Sequence, residues 1–142
     1  MKTLLTALFL VAGLAVFPAA AESPVVVDVP FAFYAGDRLM PAGEYVLGPL
    51  GDSTFDTLLM AAASGDRLIV GNIFTTASRK KVGTRVVFNK YPGERYFLAQ
   101  TWVEGEPLGR EMRKSQRERQ VVTTTLITSL KPETVTLLAR VK

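Results

Sequence analysis

Apolar and polar positions alternate along most of the chain. Val25, Val27, Val29, Phe31 and Phe33 fall on one parity. Successive strand side chains point to opposite faces, so these five predict a single buried face. Pro30 sits on the other parity and has no N–H to give a ladder, which puts this strand at a sheet edge or bulges it there. Ala35-Gly36-Asp37 reads as a turn. In Met40-Pro41-Ala42-Gly43-Glu44-Tyr45, Pro41 presets the first central turn position and Gly43 gives the backbone freedom to complete the turn. Tyr45 to Leu50 predicts the next strand, ended by Gly48, Pro49, Gly51, Asp52 and Ser53. Thr57 to Ala62 is an apolar run that strand or helix can claim. Ser64-Gly65-Asp66 reads as a hairpin turn into a strand over Arg67–Phe74.

Thr75 to Thr84 reads as a polar loop with Arg79, Lys80 and Lys81 at its centre. Arg85–Tyr91 and Arg95–Val103 predict a hairpin joined by Pro92-Gly93-Glu94, both arms rich in residues that suit a pleated, half-buried surface. Glu104-Gly105-Glu106-Pro107 closes the second arm. Arg110–Gln120 has no β-branched residue and no glycine, and predicts one short surface helix with little to bury. Val121–Leu130 is β-branched and reads as a strand or an extended linker, and Val135, Leu137, Ala139 and Val141 alternate as a final strand. The expected class is all-β: an antiparallel sandwich or small barrel of about seven to eight strands with one short helix.

The first 21 residues break this pattern. Lys2 precedes an apolar stretch from Leu4 to Phe17 interrupted only by Thr6 and Gly13, then Pro18 and Ala19-Ala20-Ala21. A positive start, a short apolar centre and a small-residue end predict a signal peptide cleaved near Ala21. The stretch is shorter than the about 20 apolar residues that cross a bilayer. The expectation is therefore an exported chain, periplasmic or extracellular, with residues 22–142 as one β-rich domain and no membrane helix in it.

Composition removes many chemistries. The chain has no histidine and no cysteine. Ser-His-Asp and Cys-His sites, His/Cys zinc sites, His-ligated haem and thiol redox chemistry are thereby excluded, and no cofactor is expected. Carboxylate pairs, a Ser–Lys dyad or a hard metal on oxygen ligands remain. The whole chain carries 17 basic and 13 acidic residues, and from Arg79 to Arg119 there are 11 basic residues against five acidic. Such a stretch suits an anionic partner, such as lipid headgroups, acidic polysaccharide or nucleic acid, or else forms a solvated face. An exported chain seldom meets nucleic acid, so none is expected.

Val29-Pro30-Phe31-Ala32-Phe33, the Gly36 turn and Met40-Pro41-Ala42-Gly43-Glu44-Tyr45 resemble the opening of a family of small exported bacterial proteins of unknown function. The likeness continues through Val87-Phe88-Asn89-Lys90-Tyr91, Tyr96-Phe97-Leu98 with Trp102, Gly109-Arg110-Glu111 and Lys114-Ser115-Gln116-Arg117-Glu118. It covers most of residues 22–142. Met40 stands where that family has Leu, and Asn89 where it has His. The resemblance implies a secreted β-rich fold and carries no activity.

Four groups of residues are candidate sites. On the expected helix, Arg110, Arg113, Lys114 and Arg117 share one face and form a possible anion- or partner-binding surface, against the alternative of a solvated face paired with Glu111 and Glu118. Tyr96 and Trp102 share a parity on one strand and form a possible aromatic platform, against the alternative of packed core rings. Glu104, Glu106 and Glu111 gather near a glycine turn, and two carboxylates at the right separation can hydrolyse glycosides; the alternative is a solvated turn. Asp52 and Asp56 lack the acid-rich loop that calcium prefers. The leading expectation is a non-enzymatic exported domain that binds an envelope component or a protein. The alternatives are a carboxylate-based polysaccharide hydrolase and a surface protein assembling through exposed strands such as Val25–Phe33 or Val121–Leu130.

Overall fold

A computed structural model describes residues 23–50, 57–71, 73–77, 83–127 and 132–142. The expected signal peptide, Asp52, Asp56 and the Arg79–Lys81 run lie outside these residues. The strands in chain order are β1 (Val25–Val29), β2 (Phe33–Ala35), β3 (Arg38–Met40), β4 (Gly43–Pro49), β5 (Thr57–Ala62), β6 (Arg67–Gly71), β7 (Ile73–Ala77), β8 (Arg85–Tyr91), β9 (Arg95–Trp102), β10 (Leu108–Met112), β11 (Glu133–Leu138) and β12 (Arg140–Val141), with one helix, α1 (Gln116–Ile127), between β10 and β11.

Two sheets stack in a sandwich-like fold, and no barrel closes. One is antiparallel with the order β12-β1-β4-β5-β6. The other runs β11-β8-β9-β10-β7 and carries β2 on β9, with β3 on β2. The β2–β9 contact is parallel, through Tyr34 opposite Phe97. The main core fills the space between the sheets. Val27, Val29, Tyr45, Leu47, Leu58 and Met60 enter from the first, and Phe33, Val86, Phe88, Leu98 and Met112 from the second. A smaller core of Tyr91, Phe97 and Val121 lies on the other face of the second sheet, under α1.

The Val25–Phe33 run does face one core, but not as one strand. β1 ends at Val29 and β2 starts at Phe33 in the other sheet. Pro30 supplies the break, since it cannot extend the ladder, and the chain crosses from sheet to sheet over Pro30–Ala32. β4 pairs along all of β1, but β12 covers only Val25 and Val26 on its other side, so among the described residues the expected edge is confined to Val27–Val29. The expected Arg67–Phe74 strand is divided in the same way: β6 belongs to the first sheet and β7 to the second. β7 also takes Thr75 to Ala77 from the expected loop, because these residues find ladder partners in Arg110, Gly109 and Leu108. Splitting of this kind yields more strands than sequence runs.

The helix is displaced from its expected place. Arg110 lies in β10, opposite Thr101 on β9 and Thr75 on β7. Two ladders outweigh the helical preference of Arg110–Met112, which is worth only tenths of a kcal/mol per residue. Helix begins only at Gln116 and takes in Val121–Ile127, the stretch expected to be strand or linker. Thr123 and Thr124 donate their hydroxyls to the Arg119 and Gln120 carbonyls, at 3.0 and 3.1 Å. Val121 meanwhile packs on Tyr91 and Phe97.

Candidate binding cleft

The start of α1 is built from two distant parts of the chain. Ser115 precedes the helix, and its Oγ accepts the Glu118 N–H at 3.1 Å, a capping bond. The β2–β3 turn supplies a second cap. Gly36 adopts φ 62° there, a left-handed conformation natural to glycine. The turn presents Asp37, whose Oδ1 accepts the Arg117 N–H at 2.9 Å. That backbone donor holds the Asp37 carboxyl below the usual carboxylate range against the opposing effect of desolvation, helped by the Ser115 hydroxyl and the Arg117 charge. The negative group also suits the positive end of the helix dipole.

Beside this cap opens a cleft of about 750 Å³. One wall is the β2–β3 hairpin with Arg38; another is β6 from Leu68 to Gly71; the third is the β10–α1 connection with Arg113 and Lys114, continued by Arg119 in the first turn of α1. Among the described lining residues, four cations thus stand with one carboxylate, Asp37, which is already bound to the helix amide. Arg38, Arg113, Lys114 and Arg119 are all exposed. Arg119 Nη1 donates to the Lys114 carbonyl at 2.7 Å, which fixes the connection to the first helical turn.

Under the helix lies a buried polar cluster. The Glu118 carboxylate, only 4% exposed, accepts from Asn89 Nδ2 and Tyr91 Oη, each at 2.9 Å. Burial, with the bond to Glu118, drives the Tyr91 hydroxyl's pKa upward. The Asn89 amide thus serves as a donor to this carboxylate.

The four expected binding cations do not share a helix face. Arg110 is 8% exposed in β10, with burial lowering the pKa of its guanidinium. Arg113 and Lys114 precede the helix and line the cleft. Arg117 turns to the far side, its guanidinium 5.1 Å from the centre of the Tyr34 ring, in a separate hollow with Arg95 and Gln120. Arg38, Arg119 and Asp37 stand outside the expected site, and the cleft brings them to it. Asp37 and Arg38 are remote in the chain from the rest and only the fold brings them there.

Nor do Tyr96 and Trp102 form a platform. Phe88 pairs with Leu98 and Val87 with Gln100, which leaves Ala99 as the extra residue of a β-bulge. An added residue reverses the facing of everything beyond it. Tyr96 faces the main core and stacks on Phe31 at 3.9 Å. Trp102 is on the opposite face, 4% exposed, donating to Gln100 Oε1 at 3.0 Å. The acidic group is dispersed as well. Glu104 and Glu106 stand at the β9–β10 turn, with burial raising the pKa of the Glu106 carboxyl. Glu111 pairs with Gln100 along β10 and lines a hollow that includes neither of the other two.

Comparison of the chain with protein-family models, characterised proteins and solved structures finds no match. Among the described residues, no helix is long and apolar enough to cross a membrane.

Proposed function

We propose that the protein is an exported, non-enzymatic binding domain whose basic cleft engages an anionic component of the cell envelope or an acidic protein. The observation that carries this reading is the convergence of Arg38, Arg113, Lys114 and Arg119 on one cleft. Cations gathered at one concave surface attract anions more strongly than the same charges dispersed. Glycoside hydrolysis needs two carboxylates about 5–10 Å apart. Among the described residues the cleft lining holds one, Asp37, committed to capping the helix, and this favours binding over hydrolysis. Export rests on the leader pattern of residues 1–21.

The test measures binding of the purified protein to phosphatidylglycerol vesicles, polygalacturonate and an acidic polypeptide at low and high salt. The expected result is binding to at least one, weakened as screening shortens from about 10 Å at 0.1 M salt to about 3 Å at 1 M. A variant carrying Arg113→Ala, Lys114→Ala and Arg119→Ala should bind about tenfold more weakly or worse. Failure of all three ligands at low salt, or equal binding by the variant, would overturn the proposal.

A further inference from the structure

We infer that the cleft takes its partner as an added β-strand: an extended acidic peptide segment that pairs with the free edge of β6 while its carboxylates meet the cations opposite. This rests on the binding reading above and names the partner class.

The edge itself can be read from the hairpin. The Ala62 N–H bonds to the Asp66 carbonyl at 2.8 Å, and β5 pairs onward with Ala61 opposite Arg67, Met60 opposite Leu68 and Leu58 opposite Val70. Hydrogen-bonded and non-bonded pairs alternate along an antiparallel ladder. Leu68 and Val70 therefore direct their backbone groups at β5, and Arg67, Ile69 and Gly71 direct theirs away from the sheet, on the side of the cleft. Among the described residues β6 pairs only with β5, and it ends the sheet order. The residues on this edge are exposed: Ile69 is 57% exposed, Arg67 and Gly71 are exposed, and a Cβ built on Gly71 would meet nothing within 4 Å. Exposed backbone donors and acceptors in a row are a template for another strand.

Charge selects the occupant. A strand laid on β6 lies in the cleft with Arg38, Arg113, Lys114 and Arg119 beside it. An acidic strand satisfies both the edge and the cations. A second copy pairing β6 to β6 about a two-fold axis would instead bring the same cations together twice. A lipid headgroup or a polysaccharide could meet the cations but has no peptide groups to match the edge.

The probe is a short fluorescent peptide alternating Glu with Val, read by anisotropy against the purified protein. A matched peptide has its alternate amides N-methylated, which keeps charge and removes the ladder donors. The parent peptide should bind, and methylation on the pairing side should weaken it by about tenfold or more, the loss of several backbone hydrogen bonds. Ile69→Pro removes an outward N–H that β5 does not use, so it should weaken the parent peptide comparably while the far-ultraviolet circular dichroism stays unchanged. Equal affinity for the methylated and parent peptides would sink strand addition. If vesicles or polygalacturonate bind and the peptide does not, strand addition fails while the basic-cleft reading stands; if no anion binds, both fail. A dimer that Ile69→Pro dissolves would also overturn the inference, by giving the edge to a second copy.

Discussion

Gly109 stands directly across the β9–β10 ladder from Trp102, and a Cβ built there would come within 2.6 Å of the indole ring and 2.9 Å of the Thr101 carbonyl. Ring and backbone are both stiff, so neither gives way cheaply. Gly109→Ala should destabilise the fold by about 1–3 kcal/mol, the usual cost of overpacking. Trp102 is the chain's one tryptophan, so urea unfolding followed by its fluorescence reads the change at the site itself. A stability equal to that of the parent would show that the indole is not held over Gly109. At the same scale, one inserted residue, Ala99, puts Tyr96 and Trp102 on opposite faces. Parity read along the strand assumes an unbroken ladder, and nothing in the Arg95–Trp102 run marks where the bulge falls.

At the scale of elements, α1 depends on its two caps. Ser115→Ala should cost about 1 kcal/mol, as loss of a capping hydroxyl does, measured by thermal unfolding at neutral pH. Asp37 adds a pH dependence. Its folded-state pKa lies below the ordinary value of 3.8, so between the two values the unfolded chain binds the proton more readily and stability rises with pH. The stabilisation from Asp37 is thus fully present above pH 3.8 and lost as pH falls through the lower folded value. In urea titrations, the stability gap between the parent and Asp37→Ala should be constant near neutrality and close below pH 3.8. A gap that persists in stronger acid would remove the charged cap from the account. The capping pattern was legible in the chain, because Ser115 and Glu118 stand three apart as a capping box requires. The Arg110–Gln120 expectation rests on composition alone, whereas Ser115 as a cap starts the helix at Gln116.

Across the whole molecule, Phe33 joins the two sheets. It belongs to the second sheet and meets the Tyr45 ring of the first at 5.2 Å, with Phe88 of its own sheet also at 5.2 Å. Truncating so large a fully buried ring should cost about 3–5 kcal/mol. Because the sheets share one core, Phe33→Ala should lower a single transition seen alike by Trp102 fluorescence and far-ultraviolet circular dichroism. Two separated transitions would show that the sheets melt independently.

By itself the sequence determined the β class, the turns at Gly36, Gly65 and Gly93, and the inward set from Val25 to Phe33, because these follow from local backbone freedom and a period of two. It also determined that no imidazole or thiol chemistry is open to the chain. Tertiary structure decided which sheet each strand joins, that Arg110 is strand while Val121–Ile127 is helix, and that Asp37 and Arg38 meet Arg113, Lys114 and Arg119. Those outcomes depend on partners far along the chain: ladders on both sides of β10, an apolar patch under α1, and a hairpin that reaches the helix start. Local preference is worth tenths of a kcal/mol per residue and yields wherever burial and hydrogen bonding from a distant segment are larger.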